Sequence, residues 1–264
     1  MVDVFAPRYV AQHPTVAAYD SLGGPVPYQV STMALVEGAF GEQVLAMLEY
    51  IATHYAVDSI TLTELAYHQA GYGPDDKAAY LAYTGRTDWP RTWRGAIQID
   101  DPTIGAWRSY EISRFVARAA SIVHRQHKQL FVDVRISWGH LAQESRENGQ
   151  DYARLLAQAD RLILWAYFGE NDYYRAWYTV PLAQYLQKYC PEQIILSFGL
   201  WANFAQVLAP AELATAIALA QAHQQTNIWI TPSHLLTRAH WQVLQHAWRQ
   251  ALDLPKGPEG KTNR

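Results

Sequence analysis

Apolar runs alternate with amphipathic stretches along most of the chain. Residues 2–6, 28–35, 57–65, 130–138, 161–168, 193–201 and 227–231 are short, apolar and rich in β-branched or aromatic side chains, and are predicted as strands. Between them, 40–55 puts Val44, Met47, Leu48 and Ile51 on one helical face. Residues 104–127 do the same with Trp107, Ile112, Phe115, Val116, Ala119 and Val123. Helical spacing recurs in 172–189, 211–223 and 237–252, the last with Trp241, Leu244 and Trp248 along one stripe. Asp101-Pro102 supplies a cap and a first-turn proline for the second helix, and Pro210 with Glu212 marks the start of another.

Strand alternating with helix is the pattern of a parallel sheet with crossover helices, and strand centres that are apolar throughout suit burial on both faces. Five strand–helix units follow Val57. The predicted fold class is therefore α/β, a (β/α)8 TIM-type barrel incomplete at its N-terminal strands, with a doubly wound sheet as the alternative. No G-x-G-x-x-G follows the first strand, and Gly23-Gly24 precedes Pro25 instead. Residues 1–253 are expected to form one barrel-like domain, and 254–264 a flexible polar tail. The open edges should be covered by the residues up to Gly24, by a partner chain, or by the remainder of a longer polypeptide.

Composition narrows the function. In 264 residues the formal net charge is −3, which argues against a nucleic-acid partner. One cysteine, Cys190, excludes an internal disulfide, and its place after a helix and before Pro191 reads as a buried thiol. There is no basic-then-apolar leader and no long apolar run, so neither a signal peptide nor a membrane partner is expected. A complete chain would then be cytoplasmic, and a piece of a longer protein could sit outside the cell or at its surface. The chain carries 10 Trp and 17 Tyr, and many cluster where chemistry would be expected. The stretch 66–103 holds Tyr67, His68, Tyr72, Tyr80, Tyr83, Trp89 and Trp93, and is too aromatic for disorder. It reads as an ordered lid or cleft wall, with Trp89 or Trp93 exposed enough to stack on a ligand. Arg91 and Arg94 would serve ligand hydroxyls, or else pair with Asp88 and Asp100.

A parallel barrel builds its site at the C-terminal strand ends. Those ends present Thr63-Glu64, then Ser137-Trp138-Gly139-His140, then Trp165-Ala166-Tyr167-Phe168, then Ser197 to Trp201, then Thr231-Pro232-Ser233-His234. Rings that stack on sugar C–H faces, together with polar partners for hydroxyls, match a carbohydrate, although any single Trp could equally plug the barrel. Glu64 is the sharpest candidate, a carboxyl that an aromatic cleft could turn into a general acid. Asp133 is the second. Arg135 shares its strand face and would orient it, or the two form a structural ion pair. Glu170 and Asp172 are in reserve, and Asp100-Asp101 caps the helix at Pro102. The substrate-binding set is Tyr67, His68, Trp89, Arg135, Trp138, His140, Trp165, Tyr167, Trp201 and His234. No cofactor and no metal are expected, although His68, His140 and His234 offer a metal-dependent alternative.

The string from Tyr55 to Tyr67, Tyr-Ala-Val-Asp-Ser-Ile-Thr-Leu-Thr-Glu-Leu-Ala-Tyr, resembles the fourth strand of glycoside-hydrolase-like TIM barrels of the family-10-like type. There, a Y-x-V-D-G-I-x-x-D-[DE] string ends in acidic residues. Gly149-Gln150-Asp151-Tyr152 and Ala159 to Tyr167 are similar to a helix and the sixth strand of such barrels. The resemblance implies a carbohydrate-active hydrolase with Glu64 at the second acidic position. Thr63 stands at the first, and Ser59 replaces the glycine. It also makes the strands from Val57 onward the fourth to eighth, leaving residues 2–6 as the third. The seventh strand end carries no carboxylate, which counts against a two-glutamate retaining scheme and leaves a non-catalytic sugar-binding barrel as a rival. The separation of the two carboxyls would set stereochemistry, about 5–5.5 Å for retention and roughly 6.5–9.5 Å for inversion.

Overall fold

The computed structural model describes residues 1–67, 69–141, 146–170, 175–203 and 206–253, with side chains to residue 249. The chain divides into two compact units. The first comprises residues 1–165 with 192–194, and the second 166–191 with 195–264. The expected tail, 254–264, lies outside the described residues.

In the first unit, β1 (Val2–Asp3) is followed by α1 (Pro7–Gln12) and by the antiparallel pair β2 (Ala17–Tyr19) and β3 (Pro25–Val30). Then come α2 (Thr32–Val36), α3 (Ala39–His54), β4 (Ser59–Thr63), α4 (Pro74–Thr84), α5 (Pro102–Arg125), β5 (Gln129–Val134), α6 (Tyr152–Leu156) and β6 (Arg161–Ala166). β1 pairs with β4, β4 with β5 and β5 with β6, all parallel and in chain order, as successive crossover connections produce. α5 begins as its residues dictate. The Asp101 side chain accepts from Thr103 N at 2.9 Å, and Pro102 occupies the first turn, where its missing N–H costs nothing.

The second unit holds α7 (Thr179–Leu186), β7 (Ile194–Gly199), β8 (Trp201–Ala202), β9 (Gln206–Val207), α8 (Pro210–Ala222), β10 (Ile228–Thr231) and α9 (Arg238–Asp253). β7 and β10 pair in parallel, and every residue of β7 is buried. Among the described residues, the six parallel strands of the two units come from six of the seven predicted apolar runs, all but 28–35. Of the expected helix 172–189, the described residues form α7 from Thr179, and Asp172 lies outside them. Among the described residues, no helix is long and apolar enough to cross a membrane.

Three expectations are corrected here. Residues 28–35 are not one strand: β3 ends at Val30, because Ser31 caps α2 by accepting from Ala34 N at 3.0 Å. Cys190 is exposed rather than buried, since it follows the end of α7 on a surface turn. Among the described residues of 66–103, Tyr67, Tyr72, Tyr80 and Trp89 turn inward instead of lining a cleft, while Tyr83 and Trp93 are exposed. Tyr72, Tyr80 and Trp89 join Ile104 and Trp107 of α5 in one buried cluster. Trp89 is 4 % exposed and stacks on Tyr80 with 4.3 Å between ring centroids. Trp89 is therefore a core residue and not a stacking platform, because α4 folds the stretch against α5. Trp93 is 88 % exposed, with the Arg94 guanidinium 4.5 Å from its ring centre, and Arg91 pairs with Asp88 at 2.8 Å.

Candidate active site

β4 ends at Thr63, and Glu64 is the first residue beyond it. Glu64 has φ +64, a left-handed conformation that disfavours any side chain with a Cβ. Such backbone costs on the order of 1–3 kcal/mol and concentrates where function requires it. Here it turns the carboxylate toward Arg135, whose Nη2 donates to Glu64 Oε2 at 2.9 Å. The Arg135 guanidinium also lies 5.2 Å from the centre of the Trp165 ring, a cation–π distance. β5 stops at Val134, so Arg135 and Ser137 lie past the strand, where the sequence had extended it.

Asp133 sits one step inside the end of β5, opposite Ile163 of β6, and is 3 % exposed. Burial pushes its carboxyl up to about 6. Side-chain hydrogen bonds from Thr63 and Trp165 oppose that rise, and the charge of Glu64 adds to it. Its Oδ1 makes no hydrogen bond. Glu64, Arg135, Asp133 and Trp165 thus meet at the ends of three adjacent strands. Trp138 is half-buried and His140 is exposed on the loop after β5.

A cavity of about 250 Å³ opens beside Arg135, lined also by Phe5, Tyr28, Gln29, Ala66, Gln69 and Asn148. Its walls come from the segments after β1, β4 and β5, the end of a parallel sheet where ligands bind. Phe5 and Tyr28 meet edge-to-face at 5.2 Å, the polar lining is amide and guanidinium, and Ala66 and Ala70 complete the wall. Larger grooves of about 570, 640 and 650 Å³ run between helices or over loops. None of these is lined by an end of the parallel strands, so the smaller cavity is the better candidate.

In the second unit, Tyr167 is half-buried and meets Trp201 edge-to-face at 5.1 Å, with Trp201 partly exposed. His234 is exposed after β10, and Glu170 is exposed after β6. His68 lies outside the described residues. Among the described residues, no group of three or more His, Cys, Asp or Glu side chains is placed to hold a metal ion.

Tyr67 is corrected from the substrate-binding set: it is fully buried, and its hydroxyl faces the charges of Asp76, Arg108 and Asp75 rather than a cavity. Burial, then the charge of Asp75, pushes the Asp76 carboxyl up to about 8. Folded Asp76 therefore keeps a proton that the unfolded chain releases near the ordinary carboxylate value. Its stabilising contribution is complete below about pH 4, declines as pH rises, and is gone above about 8. Asp76→Asn should match the wild type in melting temperature near pH 4 and exceed it by roughly 10–20 °C near pH 9. Parallel melting curves for the two chains across that range would disprove the buried proton.

Neither a family model nor a curated protein matches the sequence. Solved structures do share the fold. The glycoside hydrolase domain of PgaB (BpsB) from Bordetella bronchiseptica superposes with a TM-score of 0.63 at 14% identity, covering 88% of this chain and 64% of that one. The catalytic domain of β-amylase from Paenibacillus polymyxa gives 0.60 at 10% identity, covering 89% and 74%. A chitinase from Chromobacterium violaceum gives 0.55 at 11%, covering 82% and 74%. The fold is a TIM-type barrel, incomplete in this chain. The chain spans just under two thirds of the length of the PgaB domain.

Proposed function

We propose that the chain is a carbohydrate-active hydrolase that cleaves glycosidic bonds of an oligo- or polysaccharide by carboxylate acid–base catalysis. The observation that carries this reading is the meeting of Asp133, Glu64, Arg135 and Trp165 at the ends of β4, β5 and β6. The neighbours in fold and the family-10-like string ending at Glu64 support it. Such hydrolysis needs one carboxyl that holds a proton for the leaving oxygen and another that stays charged. The sequence alone assigns the proton to Glu64. The ion pair with Arg135 and the raised pKa of Asp133 favour the opposite division. Asp133 donates the proton to the glycosidic oxygen, and Glu64 stabilises the developing positive charge or activates water. Trp165 and Arg135 form a platform for the sugar ring. Trp138 and His140 serve as further sugar contacts of this unit, and Tyr167, Trp201 and His234 form a separate set of sugar-contacting side chains on the second unit.

Release of reducing ends from a panel of α- and β-linked oligosaccharides tests the proposal. Glu64→Gln should lower turnover by about 100-fold while oligosaccharide binding persists. Unchanged turnover would remove Glu64 from the chemistry. The second reading, a sugar-binding barrel without turnover, draws on Thr63 at the first acidic position and on β7, whose end from Ser197 to Trp201 carries no carboxylate. Binding without release of reducing ends from any substrate in the panel would favour it.

A further inference from the structure

The string Gly149-Gln150-Asp151-Tyr152 lies beneath the carboxylate pair and is tied to it by hydrogen bonds. Gln150 is 1 % exposed. Its Nε2 donates to Leu65 O at 3.0 Å and to Asp133 O at 3.2 Å, and its Oε1 accepts from Arg135 N at 2.9 Å. One planar amide thus spans the backbone just after Glu64 and on both sides of Val134. Tyr152, also buried, donates its hydroxyl to Arg135 O at 2.5 Å.

The segment is itself held firmly. Gly149 has φ +86, and a Cβ there would lie 2.4 Å from Ile112 Cδ1, so only glycine lets the chain rest this closely on α5. Asp151 caps α6 by accepting from Arg154 N at 3.0 Å and pairs with Arg146 at 3.3 Å. An anchored amide can fix the spacing of what it bonds; a mobile one could not.

We propose that Gln150 is a positioning residue whose side-chain amide sets the separation of Glu64, Asp133 and Arg135, with Tyr152 as its auxiliary. The kinetic consequence rests on the hydrolase reading, and the geometric one does not. Only an amide serves here, because two carbonyls need donors while one N–H needs an acceptor. A carboxylate would place an oxygen against two carbonyl oxygens, and methionine would match the length with no hydrogen bonds.

The test uses Gln150→Met and Tyr152→Phe in the full chain, with circular dichroism to confirm folding. Two readouts are followed: steady-state kinetics, and titration of the Asp133 carboxyl by carbon-13 NMR, with its resonance assigned from Asp133→Asn. Gln150→Met should lower kcat by about 100-fold with KM within about threefold, since misplacement near 1 Å has effects of that size. Its Asp133 midpoint should move down from about 6 toward the ordinary carboxylate value, because burial is the main cause of the rise. Thr63 and Trp165, which donate to Asp133, and the charges of Glu64 and of the amino terminus, which act on it, are all retained. Tyr152→Phe should shift both readouts in the same direction by a smaller amount, about fivefold in kcat, and decides the matter if Gln150→Met does not fold. Unaltered kcat and an unmoved midpoint in folded variants would overturn the proposal. A wild-type chain that hydrolyses no glycoside would refute the hydrolase reading instead, and the midpoint alone would then support or overturn the role of Gln150.

Discussion

Asp133→Asn should lower turnover by about 1000-fold, the largest kinetic effect expected of any single change in this chain. Asparagine preserves the shape and can still accept from Thr63 and Trp165, but it has no acidic proton to give. The pH dependence follows from the same group. Burial holds the Asp133 carboxyl near 6, so the acid form dominates below that value and disappears above it. The kcat/KM of the wild type should therefore fall about tenfold per unit above about pH 6, a limb that Asp133→Asn lacks. A falling limb retained in the variant would mean that another group supplies the proton. Full turnover in the variant would mean that Asp133 is a structural carboxyl.

Trp89→Ala should destabilise the fold by about 3–5 kcal/mol, the largest stability effect expected of a single aromatic truncation here. Trp89 contacts Tyr72, Tyr80 and Trp107 at centroid distances of 5.6, 4.3 and 5.8 Å, so its loss opens a void among rings that α4 and α5 hold in place. For a chain of this size the melting temperature should drop by roughly 6–20 °C. Trp93→Ala, at an exposed position in the same stretch, should stay within about 0.5 kcal/mol of the wild type. The opposite result, an unmoved melting temperature with weakened oligosaccharide affinity in Trp89→Ala, would restore the stretch as a cleft wall.

The pair of tryptophans shows why the site was only partly legible. Trp89 and Trp93 stand four residues apart in the same polar, Arg-containing stretch, and nothing local separates a ring that packs from a ring that waits for ligand. The outcome depends on α5, which contributes Trp107 to the same cluster. Glu64 was legible because it directly follows an apolar strand, and strand ends are where parallel sheets place their ligands. Asp133 was legible as a candidate, but its proton was not. The rise in its pKa needs burial between neighbouring strands and the charge of Glu64, which is 69 positions away in sequence.

What the amino-acid order determined by itself is the succession of elements and the starts of helices. Strand and helix periodicity, Asp101-Pro102 before α5 and Asp151 before α6 are interactions within a few residues, and they act whatever the rest of the chain does. Even there, Ser31 ended a strand that apolar content would have prolonged, because a local cap outweighs a continuing hydrophobic run. Tertiary structure alone decided the remainder: the inward turn of Tyr67 and Trp89, the raised carboxyls of Asp76 and Asp133, and the reach of the Gln150 amide to Leu65. Each of these follows from exclusion of water and from hydrogen bonds between distant segments, and neither exists until the sheet and its covering helices have closed around them.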